Sequence, residues 1–501
     1  MPGRSNKSRK NQTMKQTMKQ RLILFLNPFD ARFEDMRGGN WRGVVLRDVS
    51  AGLIVAMMAI PMAMGFAMAS GLRPEHGIMA GAVAGLVGAL FGGSKYNVYG
   101  PVAALIPVIA GIMAAYSTPE DPYAGHSFLV LISLCSGPVL ILFALIGWGK
   151  VGNLVPHSIV VGFSIGIAVT IALTQFGEVL GLKAAVTGGF INKIRIIGEN
   201  LHQANGAAMF LGLLTFVIVR ALLKISIYVP APLFALGIGL LLSTTILGDS
   251  GLSLIKTKYG EIPTNFLIIT PPSMPSWDWP VVRDLLFYSL AFAFVCGFES
   301  LLAARMADRL ADNRGTKYDP DKEFWGQGMI QTVVPLLNGM PLSGALARTA
   351  TNIKVGAVTP LAGIMKCAFK LLLVFFLARY LELVPMACIG GILLWVAFNM
   401  VKPTEIKQVW LHNWFHFFLM IYTAVMVIVF DFLTGVLSAL VIYGLLFKFL
   451  DKPAVGKKLP ENPQPEKTVL ERDRQTVPKT TLSTELSRSE SSLPMQFKGD
   501  H

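Results

Sequence analysis

Charge is scarce in this chain: only 15% of its 501 residues are Asp, Glu, Lys or Arg, where a soluble domain carries about 25%. So few charged groups cannot cover a water-facing surface of this size, which excludes an ordinary soluble enzyme. Cysteine is scarce too. Cys135, Cys296, Cys367 and Cys388 stand singly in apolar runs, and without a CxxC pair they indicate neither a disulfide scaffold, nor zinc, nor a redox dithiol. No Walker motif, HExxH or GxSxG occurs, so neither ATP drive nor hydrolysis is suggested. No nucleophile–base or metal-ligand constellation points to an enzyme, a metal or a cofactor.

What is abundant is apolar sequence: 53% hydrophobic residues and a mean hydropathy of +0.55. Apolar segments lie at 48–70, 77–91, 101–115, 127–148, 156–181, 206–223 and 229–247. After a polar stretch, Gly248 to Val282, a second series follows at 284–306, 322–338, 344–355, 360–380, 383–401, 412–430 and 432–450. The segments at 322–338 and 344–355 are weakly apolar and are counted on the symmetry of the two series. Seven is odd, so the second half enters from the opposite side. The expected fold is an all-α integral membrane protein with 14 transmembrane segments in a 7+7 inverted repeat, 48–247 and 283–450, an arrangement that builds many secondary transporters.

Net charge is +14, but its distribution argues against nucleic acid as a partner. Before Asp48 stand eleven basic residues, among them Arg32, Arg37, Arg42 and Arg47, against Asp30, Glu34 and Asp35. Basic residues crowded beside the first apolar span mark the cytoplasmic side, with lipid headgroups as a partner. The segment 1–47 is thus expected in the cytoplasm of a plasma (inner) membrane protein, its RLILFLNPF stretch forming an interfacial helix. Residues 451–501, rich in Pro, Ser, Thr and charge, are expected to form a disordered tail on the same side.

The third segment of each series is broken. GGSKYNVYGP (92–101) and LNGMPLSGA (337–345) each precede a short apolar helix, and paired Gly/Pro interruptions at matching positions point to a midplane binding site. Pro101 suits a first helical turn, and Ser343 and Gly344 suit caps. Two helix N-termini facing each other would offer free N–H groups and about half a positive charge each, an anion site. Arg348, one turn into the second short helix, could add a fixed cation. Glu299 is an isolated carboxylate in LLFYSLAFAFVCGFESLL, and an intramembrane carboxylate is a functional candidate by default. Glu178 and Asp431 lie near span ends, His157 suits a helix start, and Gly81, Ala84, Gly85 and Gly88 read as close helix packing.

Several stretches resemble the SulP family of sulfate permeases and related anion transporters. These are DVSAGLIVAMMAIPMAMGFAMASGL from Asp48, FGGSKYNVYGPVAAL, VPHSIVVGFSIG, GMPLSGALARTATNIKVGAVTPLAGI and FDFLTGVLSAL. The resemblance implies a core domain moving against a gate domain, short third and tenth half-helices, and a homodimer. By motif position, Phe66, Tyr99, Gly100, Val102 and Ala103 would line the substrate site from one half. Gly344, Ala345, Leu346 and Arg348 would line it from the other, and Glu299 matches a carboxylate implicated in cation coupling.

Three departures stand out. Met62 replaces a Gln common after the first-span Pro. Ala303 stands where Na⁺-coupled bicarbonate members have a hydroxyl residue, which weighs against Na⁺. The tail is too short and polar for the usual STAS domain. The expectation is a transporter of a small inorganic anion, sulfate or bicarbonate, coupled to H⁺ or Na⁺ or exchanging. Rivals are an anion channel or voltage-responsive motor, and a nucleobase permease, against which Arg348 argues.

Overall fold

In the computed structural model, residues 20–450 are described apart from 119, 150–155, 249, 266, 267, 314 and 431. The expected tail at 451–501 and most of the polar N-terminal stretch lie outside them. A short helix at 20–26 (α1) and a 3₁₀ segment, Ala31–Arg37, lead into Trp41–Ala69 (α2) and Pro74–Phe91 (α3). A two-residue strand, Tyr99–Gly100 (β1), precedes Ile106–Tyr116 (α4). Then come Gly125–Ile146 (α5), His157–Val179 (α6), Phe190–Asn200 (α7), Gly206–Ile225 (α8), Ala231–Thr245 (α9) and the short Ile255–Tyr259 (α10).

The second half repeats the scheme with Trp279–Leu310 (α11), Pro320–Leu336 (α12), the strand Ser343–Gly344 (β2) and Leu346–Val355 (α13). It ends with Leu361–Glu382 (α14), Met386–Met400 (α15), Pro403–His412 (α16), Trp414–Val429 (α17) and Phe432–Leu450 (α18). The helices sort into two groups. One packs α2, α3, α5, α11, α12, α13 and α14 together; the other packs α6, α8, α9, α15, α17 and α18. Both broken segments belong to the first.

Among the described residues, eight helices are long and apolar enough to cross a bilayer, and four shorter ones are apolar. Large apolar side chains such as Leu213 on α8, Phe376 on α14 and Phe418 on α17 are exposed, as suits surfaces facing hydrocarbon. Trp41, Trp148, Trp279, Trp410 and Trp414, at or near helix ends, are exposed too, the pattern of an interfacial belt. Helices α12 and α13 fall outside the apolar set for a physical reason: their polar groups are spent inside the protein. On α12, Gln327 donates to Leu342 O at 2.6 Å and Gln331 to Cys296 Sγ at 3.0 Å. Helix α7, with every residue at least partly exposed and Ile191 and Ile194 uncovered, is an amphipathic element that hydropathy alone missed.

Glu323 on α12 ties the first broken segment down. Its buried carboxylate accepts from Gly93 N (2.8 Å), Asn97 Nδ2 (2.7 Å), Ser300 Oγ (2.6 Å) and the Tyr99 hydroxyl (2.8 and 2.9 Å). Four donors on one carboxylate fill its acceptor positions. The N-terminal segment is stapled on by charge. Lys95 reaches Glu34 at 2.8 Å and Asp35 at 2.7 Å, while Lys322 reaches Asp30 at 2.5 Å.

Two outcomes follow from these contacts. Glu323→Gln turns an amide N–H₂ toward groups that themselves donate, and leaving buried donors unpaired costs about 1–3 kcal/mol each. A clear drop in melting temperature in detergent is therefore expected, and an unchanged one would contradict the hub. Hydrogen bonds from Lys95 and Thr316 hold the Glu34 carboxyl down at about 2, below its ordinary 4.5. Because this pKa is depressed on folding, the stabilisation is complete above the ordinary value and fades as pH falls toward the lower one. The melting difference between wild type and Glu34→Gln should hold from neutral pH down to roughly pH 5 and shrink only in stronger acid.

Candidate functional site

The two broken segments meet. β1 pairs antiparallel with β2, Tyr99 opposite Gly344 and Gly100 opposite Ser343, and Ala345 N donates to Val98 O at 2.8 Å. Side chains continue the ladder: Val98 N donates to Thr349 Oγ1 at 2.9 Å, and Thr349 Oγ1 to Asn97 Oδ1 at 3.1 Å. Each non-helical stretch thereby satisfies the other, as backbone at membrane depth requires. Glycine is needed at the contact. A Cβ on Gly344 would lie 2.6 Å from Asn97 Nδ2, and one on Gly100 would lie 2.6 Å from Arg348 Nη1.

From this pair the chain runs into two helix starts. On one side Val102 caps a 3₁₀ turn, Ala103–Leu105, that continues into α4; on the other Ala345 caps α13. Neither cap makes a side-chain hydrogen bond. Two expectations are corrected here. Pro101 sits between β1 and the 3₁₀ turn rather than in a first helical turn. Ser343 and Gly344 belong to β2 rather than capping α13, because pairing with β1 claims their backbone. The Ser343 hydroxyl is free to turn to Glu299 and donates to its Oε2.

The residues singled out from sequence converge on this place. Tyr99 and Gly100 form β1, Val102 and Ala103 begin the first helical turn, and Gly344, Ala345 and Leu346 carry the chain into α13. Phe66 on α2 shares one apolar cluster with Val102, Ala103 and Ala345. Arg348 is buried and crosses between the halves, its guanidinium against Gly100 and donating to Pro101 O. Glu299 is only partly buried, and among the described residues no ion pair joins it to Arg348. Leu346 and Ala347, at the start of α13, are exposed.

Residues read as secondary fall elsewhere. Glu178 pairs with Lys258 at 2.6 Å, and His157 begins α6 with an exposed ring. Asp431 lies outside the described residues. Among the described residues no group of His, Cys, Asp or Glu could hold a metal. The sequence reading missed Glu323, its polar helix being weakly apolar, and missed Lys366 and Lys370 on α14. Both lysines are buried, and the signal was available: two cations one turn apart in IMKCAFKLLLVFF. Lys366 Nζ donates to Tyr99 O at 2.7 Å.

Residues 45–423 match the sulfate permease family. A putative sulfate transporter, YvdB of Bacillus subtilis, is 34% identical over 407 residues, covering 80% of this chain and 73% of that protein. The bicarbonate transporter BicA of a Picosynechococcus strain is 26% identical, covering 72% of this chain and 62% of its own length. Among solved structures, the transmembrane domain of a cyanobacterial BicA superposes with a TM-score of 0.69 at 23% identity, over 78% of this chain and 96% of that one. SLC26A9 gives 0.76 at 16% identity, over 87% and 70%. Such identities speak to fold alone, and the fold is that of multi-pass membrane transporters. With a family match across most of its length and both broken segments inside it, the chain belongs to the sulfate permease family, a family of transporters rather than enzymes.

Proposed function

We propose that the protein is a secondary active transporter of a small inorganic anion, sulfate or bicarbonate, working by alternating access. The observation that carries this reading is the convergence of two helix N-termini on one strand pair, with a guanidinium lying across it. In α13 the first ladder bond runs from Thr349 N to Ala345 O, which leaves the N–H groups of Leu346, Ala347 and Arg348 for a ligand. Across the pair, Leu105 N bonds Val102 O, which leaves those of Ala103 and Ala104. Such amides, with about half a positive charge at each helix start, suit an oxyanion, and Arg348 adds a full charge. Relatives named as sulfate and bicarbonate transporters support the same substrate class.

The exposed residues of α13 give a direction. Ala347 and Lys354 are exposed on α13 and Thr351 between them is half-covered, a stripe running from the helix start toward Gly356, beside Arg47. Arg47 belongs to the basic N-terminal side, and α11 carries Arg309 in its last turn, as a second half inserted the other way round requires. These features support a carrier open to the cytoplasm, with the core group of helices moving against the gate group to expose the site alternately. Both termini lie in the cytoplasm, the membrane is the inner one, and the protein works as a homodimer. Glu299, held by Ser343 beside the strand pair, is the group that takes up the coupling H⁺ or Na⁺.

Uptake of radiolabelled sulfate and bicarbonate into proteoliposomes, under imposed pH and Na⁺ gradients, tests this. Arg348→Ala should cut uptake about tenfold or more, since a hydrogen bond to a charged group contributes about 1.5–3 kcal/mol. Glu299→Gln should still bind anion yet respond to neither gradient; a variant that kept the wild-type gradient response would remove Glu299 from the coupling role.

A further inference from the structure

Against the first broken segment, between α3 and α14, lie two further basic side chains. Lys366 and Lys370 are one helical turn apart on α14, buried to 2% and 0% exposure, and face α3 at the points where it carries glycine. A Cβ on Gly85 would lie 2.7 Å from Lys366 Cε and 3.1 Å from its Nζ. The position a Cβ on Gly81 would take is met by Lys370 Nζ and, at 3.6 Å, by Cδ of Pro101. The small-residue spacing on α3 therefore makes room for two lysine side chains as well as for a neighbouring helix.

Neither ammonium has an acidic partner among the described residues. Lys366 donates to Tyr99 O at 2.7 Å, and the bond from Lys370 to Gly77 O is long, 3.5 Å. The nearby carboxylates are spoken for: Glu323 has four donors, including the Tyr99 hydroxyl, and Glu299 sits with Ser343. Packing alone does not explain the pair, because methionines would fill the same space without burying charge, and an uncompensated buried cation is costly.

We propose that Lys366 and Lys370 are specificity-determining residues, charged behind the first broken segment when an anion is bound, that favour doubly over singly charged oxyanions. The inference rests on the anion-transport reading above. Its logic is that the Coulomb energy scales with the product of the charges, so a lysine acts on a dianion with twice the energy it exerts on a monoanion at the same place. Removing one should weaken dianion binding by at least the square of the factor lost for a monoanion, since any cost of charging the lysine is common to both.

The measurement is equilibrium binding of sulfate and of nitrate to the purified full chain at constant ionic strength, for wild type, Lys366→Met, Lys370→Met and Lys366→Arg. If the methionine variants weaken nitrate about threefold, sulfate should weaken about tenfold or more, and Lys366→Arg should keep the wild-type ratio. Lys370→Met, which gives up only the long contact, should melt no lower than wild type without anion, and it carries the test if Lys366→Met fails to fold. Equal losses for both anions, or no loss, overturn the proposal while leaving anion transport standing. A wild type that binds neither anion overturns both.

Discussion

Backbone that leaves the helix inside a bilayer must find hydrogen-bond partners within the protein, and the site depends on that rule. Each broken segment is an unstable element alone, with non-helical amides and carbonyls at membrane depth. Paired as β1 and β2 they satisfy each other, and the second shell of Asn97, Thr349, Ser300 and Glu323 fixes the pair from the side. The convergence of the two helix starts is a by-product of that solution: once extended chain is used up in pairing, both helices that resume from it begin at the same place.

The polar interior follows from the same constraint. Helix α12 is a poor membrane segment by hydropathy, yet it is buried by α3, α5 and α11, and its Glu323, Gln327 and Gln331 supply partners for backbone and side chains nearby. Asp48 does comparable work at the other end, accepting from Val358 N at 2.7 Å and Thr359 Oγ1 at 2.6 Å where the chain turns into α14. Apolar side chains fill most of the core and also cover the outer surface, where Leu213, Phe376 and Phe418 are exposed.

Much of this was legible in the order of residues. The paired Gly/Pro interruptions, Glu299 and Arg348 stood out against apolar surroundings, and they do lie around one strand pair. What escaped were features whose meaning is set by the partner. Nothing local announces that the glycines of α3 face lysines of α14, or that the Ser343 hydroxyl reaches α11 instead of capping α13. The misplacement of Pro101 has the same origin: propensity speaks for a helix start, but pairing with a segment far along the chain delays it until Ala103.

The bond from Val98 to Thr349 joins positions 251 residues apart. During synthesis, the earlier strand leaves the ribosome long before its mate has been translated. Until that happens its peptide groups are orphaned in or near hydrocarbon, so they must be sheltered by water, by the translocation machinery or by a holding position at the membrane surface. The first repeat cannot satisfy its own backbone alone, and the seam can close only once the second strand, Ser343–Gly344, has been made.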